Sequence, residues 1–291
     1  MTGVIQVAIL GLALGGVYAL MASGLTLMFG VMRVVNLAHG AFMILAAYGA
    51  FFLWQLWNID PFVSLVVVMP AMFGLGMLIY RSLFTRIEAS PRYPEMTVLM
   101  TFGLAFVVEG LMSYFFTGIF RTASPPYATQ AFLFGPFFVP RGQLFASMAS
   151  VVLLILLWVF LTFTRTGYGV RATMQNRTAA QIVGVDVRRV SMISFGVGMA
   201  LAGGAGALIS FLFTFFPNRH WQWIAIMLSL IVLGGMGSLK GAVVGALALA
   251  VIASFVSDTL GSLWAPMTFF LVLFLVLLVR PHGLFGKKVR L

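Results

Sequence analysis

The sequence has no cysteine, which excludes disulfides and thiolate metal sites. Histidine is nearly as scarce: His39, His220 and His282 are scattered, at no spacing that a metal site needs. Only six residues are acidic, against seventeen Lys and Arg. Charge of either sign makes up 8% of the chain, where a soluble domain carries roughly 25%. A water-soluble fold of 291 residues needs far more polar surface. Enzyme signatures are missing too. No G-x-x-x-x-G-K-[ST] phosphate loop is present; the nearest run, Gly283-Leu-Phe-Gly286-Lys287-Lys288, lacks both the spacing and the hydroxyl. No nucleophile stands beside a plausible base. ATP hydrolysis and covalent catalysis are therefore not expected of this chain, and a membrane enzyme is the weakest reading.

What is present is apolar. Hydrophobic residues make up 62% of the sequence. They fall in runs of about 17–25 residues, each able to cross a bilayer core of roughly 30 Å. Residues 3–57 form one nearly continuous block with room for two or three crossings. Further spans lie near 61–80, 96–117, 142–163, 191–213, 224–239, 241–257 and 265–280. The expected fold is all-α: a polytopic helical membrane protein of about eight to ten segments, one transmembrane domain over residues 1–291. No basic segment precedes the first run, so neither a cleaved leader nor an appended soluble domain is expected.

The net charge of +11 does not point to nucleic acid, because the bases cluster in short segments beside the spans. Residues 81–95 hold Arg81, Arg86 and Arg92, and the tail holds Arg280, Lys287, Lys288 and Arg290. Residues 165–190 hold Arg165, Arg171, Arg177, Arg188 and Arg189 beside one acid, Asp186. Segments 81–95 and 164–190 and the C-terminus are therefore expected in the cytoplasm, and the proline-rich loop 118–141 outside. The 165–190 segment is too long for a tight turn. Its Ala, Gln, Met and Arg content favours helix from about Val170 to Val183. It reads as the place where another protein grips the membrane domain.

Polar groups also interrupt the spans. Asn36-Leu-Ala-His39-Gly40-Ala41 breaks the first block, and Gly237-Ser-Leu-Lys240-Gly241-Ala242 breaks the last. Such paired interruptions read either as discontinuous helices around a translocation path or as ordinary surface loops. Glu109 falls within a span, where a carboxylate at the helix centre costs roughly 2.5–3.5 kcal/mol. It reads as a solute or proton contact, or as a group solvated at the outer interface. Asn36, His39, Gly40, Glu109, Ser229, Gly235 and Gly237 are the candidate path residues. Dense small residues, as in Ala200-Leu-Ala-Gly203-Gly204-Ala-Gly206, read as helix-packing faces. The run from Arg280 to Lys288 reads as an interfacial anchor.

Four stretches resemble a known family. They are Gly24-Leu-Thr-Leu-Met-Phe-Gly30 with Arg33-Val-Val-Asn36-Leu-Ala-His39-Gly40, Gly169-Val-Arg171-Ala172 through Gly184-Val185, Ala202-Gly203-Gly-Ala-Gly206 with Gly234-Gly235-Met-Gly237-Ser238, and Arg280-Pro-His-Gly283-Leu-Phe-Gly286. Together they are similar, over essentially the whole chain, to LivH-type membrane permease subunits of ATP-binding-cassette importers for branched-chain amino acids. The resemblance implies a second homologous permease subunit, two cytoplasmic ATPase subunits and a periplasmic solute-binding protein, in a bacterial inner membrane. ATP and Mg would sit on the ATPases, with no cofactor and no metal on this chain. It makes Gly169, Arg171, Ala172, Gln175, Asn176, Ala179, Ala180 and Gly184 the ATPase-coupling residues. Relatives of this architecture also carry urea, short amides and aromatic acids. A stand-alone secondary carrier or channel is the alternative of another class.

Overall fold

A computed structural model describes residues 2–280 and residue 283. The anchor at Pro281, His282 and 284–291, and the cytoplasmic placement of the C-terminus, lie outside the described residues. In chain order the elements are α1 (Thr2–Met32), α2 (His39–Trp57), α3 (Pro61–Ile79), a π-helical turn (Tyr80–Phe84), α4 (Thr85–Ile87) and α5 (Tyr93–Phe116). An outer loop carries strands β1 (Ala131–Phe134) and β2 (Phe137–Pro140). Then come α6 (Arg141–Phe163), α7 (Arg165–Gln175), α8 (Arg177–Ile182), α9 (Val187–Leu212), α10 (His220–Gly234), α11 (Leu239–Leu260) and α12 (Ala265–Val279).

Among the described residues, seven helices are long and apolar enough to cross a membrane: α1, α2, α3 with its continuation, α5, α6, α9 and α11. Helices α10 and α12 have 15 residues each, or about 22 Å, short of a full hydrocarbon core. The chain is a polytopic helical membrane protein. Its first block holds two helices. The span expected from residue 224 begins earlier, at His220, because a 3-10 turn at Pro217–Arg219 runs straight into it. It ends at Gly234, where Gly235 and Gly237 take positive φ.

Polar side chains set where several helices begin. Asp60 caps α3, accepting from the Phe62 N–H at 2.8 Å, with Pro61 in the first turn. The same carboxylate accepts from the Tyr127 hydroxyl at 3.0 Å, tying the outer loop to α3. Burial first, and the Asp60 charge second, push the Tyr127 pKa up, so its hydroxyl keeps its proton at physiological pH. Thr164, Asn176, Asp186 and Ser238 cap α7, α8, α9 and α11 in the same manner.

Contacts settle the path of the first helix. The Phe138 N–H on β2 donates to Gln6 Oε1 at 2.9 Å, so α1 begins on the hairpin's side. At its other end Arg33 donates to the Met174 carbonyl of α7 at 3.0 Å. The arginine-rich face is therefore reached by the ends of α1, α3 and α6 and the starts of α5 and α9.

Helix α9 is the axis of the bundle, and 83% of its most apolar window is buried. Helices α1, α2 and α3 pack around it, and α11 packs along α1. Apolar burial alone cannot drive such contacts in lipid, so close backbone approach must. Gly24 and Gly198 face each other with each Cα against the other's carbonyl, and Gly206 lies against the Met43 carbonyl.

Candidate functional site

The arginine-rich segment 165–190 forms a handle of two short helices, α7 and α8. The expected single helix from Val170 to Val183 is split. Asn176 sits in extended backbone between the two, and its side-chain oxygen accepts from the Ala179 N–H at 3.0 Å. An asparagine that caps the next helix cannot also continue the previous one. Helix α8 closes on Gly184 at φ 84°. The Gly184 N–H donates to the Gln181 carbonyl and the Val185 N–H to the Ala180 carbonyl, both at 3.0 Å, the paired bonds of a Schellman cap.

The handle is pinned to the body by ions and by packing. Glu88, just after α4, accepts from Arg177 at 2.7 Å, and Arg188 approaches its other oxygen at 3.9 Å. Gly169 packs near Val185 and Val190, while Val170, Thr173 and Ala180 are buried. Ala180 thus faces inward and offers no side chain to a partner. Ala172 is half-buried, whereas Arg171, Gln175, Asn176, Ala179 and Gly184 are exposed. The Arg171 guanidinium lies over the exposed Tyr168 ring, 4.9 Å from its centre. Next to them stand Ile182 and Val183, 80% and 76% exposed on the polar side of the protein. Sequence reading overlooks these two, because in so apolar a chain they pass for core residues.

The second cluster lies deep in the bundle. After α1 the chain climbs back beside it: Asn36 reaches Met28, and the His39 ring packs against Gly24. Both residues are buried. Asn36 spends its oxygen on the turn before α2, accepting from the Ala38 N–H at 3.1 Å. Neither ring nitrogen of His39 has a partner among the described residues. Gly40 then lets the start of α2 approach the His220 carbonyl at the start of α10. Two helices therefore begin within the protein, with their first turns together.

Glu109 joins that junction from α5, seven residues, or about 10 Å, before the helix ends. Its carboxylate accepts from Asn218 Nδ2 and from Trp221 Nε1, each at 3.0 Å, and faces His220 Nε2 at 3.1 Å. Ser229 and Gly235–Gly237 lie elsewhere. The Ser229 hydroxyl donates to the Ala225 carbonyl within α10, and Gly237 sits near Gly30 in the last turn of α1. The structure thus brings Gly40, His220 and Glu109 together, with Asn36 and His39 close by, and leaves Ser229, Gly235 and Gly237 apart.

Glu109→Leu would take the acceptor from the half-buried Trp221 Nε1–H, at roughly 1–3 kcal/mol, while the exposed Asn218 can turn to solvent. Its thermal midpoint in detergent is expected to fall by several degrees, with Glu109→Gln recovering part of the loss. An unchanged midpoint would show that the carboxylate holds nothing.

Comparison with known proteins gives these features a family. Residues 7–279 match the family described as branched-chain amino acid transport system, permease component. A probable branched-chain amino acid transport permease protein LivH of Methanocaldococcus jannaschii is 27% identical, over 93% of this chain and 90% of its own. The high-affinity branched-chain amino acid transport system permease protein LivH of Escherichia coli K12 is 26% identical, over 95% and 94%. The corresponding protein BraD of Pseudomonas aeruginosa is 25% identical, over 97% and 96%. No solved structure matches the chain. With nearly its whole length matched and a bundle of membrane-spanning helices, this chain belongs to the family of permease components of branched-chain amino acid transport systems.

Proposed function

We propose that this chain is the membrane gate of an ATP-driven importer for branched-chain or other hydrophobic amino acids. A solute-binding protein delivers the solute at the outer face. A second homologous permease completes the path, and two cytoplasmic ATPases supply the motion. The observation that carries this reading is the α7–α8 handle: a capped pair of short helices whose surface bears the exposed side chains of Ile182 and Val183. Such a surface costs free energy unless a partner covers it.

The coupling follows from how the handle is mounted. A force on the handle passes from α8 through Arg177 and Glu88 to the stretch just after α4, and from α7 through the contact of Gly169 with Val190 to α9, the axis of the bundle. Tilting α9 against its glycine contacts exchanges one close packing for another, the kind of discrete change that alternating access needs. Arg171, Gln175 and Ala179 lie on the face a partner would meet, and Gly184 ends the projection. The junction of Gly40, His220 and Glu109 would answer to that tilt, since α2 packs on α9.

Reconstitution separates this from a carrier acting alone. Liposomes holding this chain, its sister permease, the ATPases, MgATP and loaded binding protein are expected to accumulate leucine. Liposomes holding this chain alone are expected to be inert. Uptake by the chain alone, driven by an ion gradient, would defeat the reading.

A further inference from the structure

The loop between α5 and α6 carries no charged residue from Arg121 to Arg141. Its hairpin is Ala131-Phe-Leu-Phe134, a Gly135-Pro136 turn and Phe137-Phe-Val-Pro140. Residues paired across two strands share a face. Leu133 pairs with Phe138, and Phe132 with Val139, so both faces are apolar. A hairpin standing in water keeps one face polar. The Phe132–Val139 face turns to the protein: Val139 is buried, and the Phe132 ring meets Phe145 of α6, with centres 6.1 Å apart. The other face is open, with Leu133 76% and Phe138 49% exposed.

The surroundings say what covers the open face. Gln6 of α1 closes the free edge of β2: its amide donates to the Phe138 carbonyl and accepts from the Phe138 N–H at 2.9 Å. In an aqueous loop water serves such edge groups; a fixed side-chain amide serves them where water is scarce. Beside Gln6, Val4 and Ile5 are exposed in the first turns of a spanning helix. The open face therefore continues a lipid-facing surface. Arg141, the first residue of the spanning helix α6, holds its guanidinium over Phe132, 4.5 Å from the ring centre, and donates to Gln130 Oε1 at 2.6 Å. An arginine at the start of a span marks the level of the headgroups.

We infer that the β1–β2 hairpin is a lipid-binding element, lying in the boundary between headgroups and acyl chains with Leu133 and Phe138 turned to the acyl chains. The free backbone edge of β1 limits its depth, because unpaired N–H and C=O groups need headgroups or water. Lipid suits the face better than a docking protein does. A partner that comes and goes would leave large apolar side chains in water between visits, whereas lipid covers them at all times. The hairpin is tied to α1 through Gln6 and to α6 through Phe145, so it holds the starts of both helices at one depth. Only the spanning helices are needed for this role, and it holds whether or not the chain carries amino acids.

The chain has no cysteine, so Leu133→Cys and Phe138→Cys each give one attachment point for a nitroxide spin label. The labelled full-length chain is placed in nanodiscs of phosphatidylethanolamine and phosphatidylglycerol. Relaxation by oxygen, which partitions into lipid, is compared with relaxation by a water-soluble nickel chelate. Ala179→Cys, exposed on the arginine-rich segment, is the aqueous reference. Oxygen is expected to be several-fold the more effective agent at both hairpin positions, and the less effective one at Ala179. In the assembly with the sister permease and the ATPases, loaded solute-binding protein is expected to leave the Leu133→Cys signal unchanged.

A nickel preference at Leu133 or Phe138 like that at Ala179 would place the face in water and overturn the inference. A Leu133→Cys label that is immobilised and loses its oxygen access when binding protein is added would overturn it too, making the face a protein-docking surface. Either result would leave the importer reading intact.

Discussion

Changing Ile182 and Val183 together to glutamate is expected to detach the ATPase subunits and reduce uptake by at least about 100-fold. These side chains are 80% and 76% exposed and stand at the tip of a polar segment, not on the lipid-facing surface. Covering a large aliphatic side chain yields roughly 1.5–3 kcal/mol, so two contribute about 3–6 kcal/mol to a docked complex. Each 1.4 kcal/mol is about tenfold in affinity, which sets the expected loss. Neither residue packs in this chain's core, so the variant should insert and fold normally. Co-purification of the ATPases and leucine uptake measure the effect, and Ile182→Leu with Val183→Ile should restore both. A gentler companion is Arg171→Glu with Gly184→Leu. It reverses a charge on the same face and forces a side chain into φ 84°, at about 1–2 kcal/mol. Wild-type uptake in that variant would remove the docking role from α7–α8.

Gly241→Ala is expected to cause the largest loss of stability. Gly241 opens α11 against Gly234 at the end of α10, and an added methyl would overlap the Gly234 carbonyl carbon and oxygen. A flexible side chain could move aside; backbone held in a helix hairpin cannot. Overpacking of this kind costs about 3 kcal/mol or more, because α10 and α11 must separate. The contrast lies in Gly74 and Gly103, where an added methyl meets nothing within 4 Å. Alanine there should be neutral or stabilising by up to about 1 kcal/mol, from helix propensity alone. Thermal midpoints of the purified variants separate the two classes. A Gly241→Ala protein as stable as its parent would mean that α10 and α11 are not packed as described.

How much of this was visible in the sequence depends on whether the physics is local. Apolar runs must become helices in a bilayer, so the spans after residue 57 were legible to within a few residues, with α9 and α10 both starting early, while the division of residues 3–57 was left open between two and three crossings. Gly184 was legible as a helix end, because only glycine takes positive φ freely there. The break at Asn176 was missed, since helix formers surround it and only its backbone reveals that it caps α8. The partners of Glu109 lie more than a hundred residues away, and no local pattern reports them. Ile182 and Val183 were hidden by composition.

The central claim is that α7–α8 is a cytoplasmic handle held by another protein. Ala179→Cys tests it most directly, since Ala179 is exposed and the chain supplies no other thiol. Labelling by a membrane-impermeant maleimide is measured in intact cells and in inverted vesicles, with and without the ATPases. The expected result is labelling only in inverted vesicles, slowed about tenfold or more when the ATPases are bound. Labelling of intact cells, or an equal rate in the full assembly, would contradict the account.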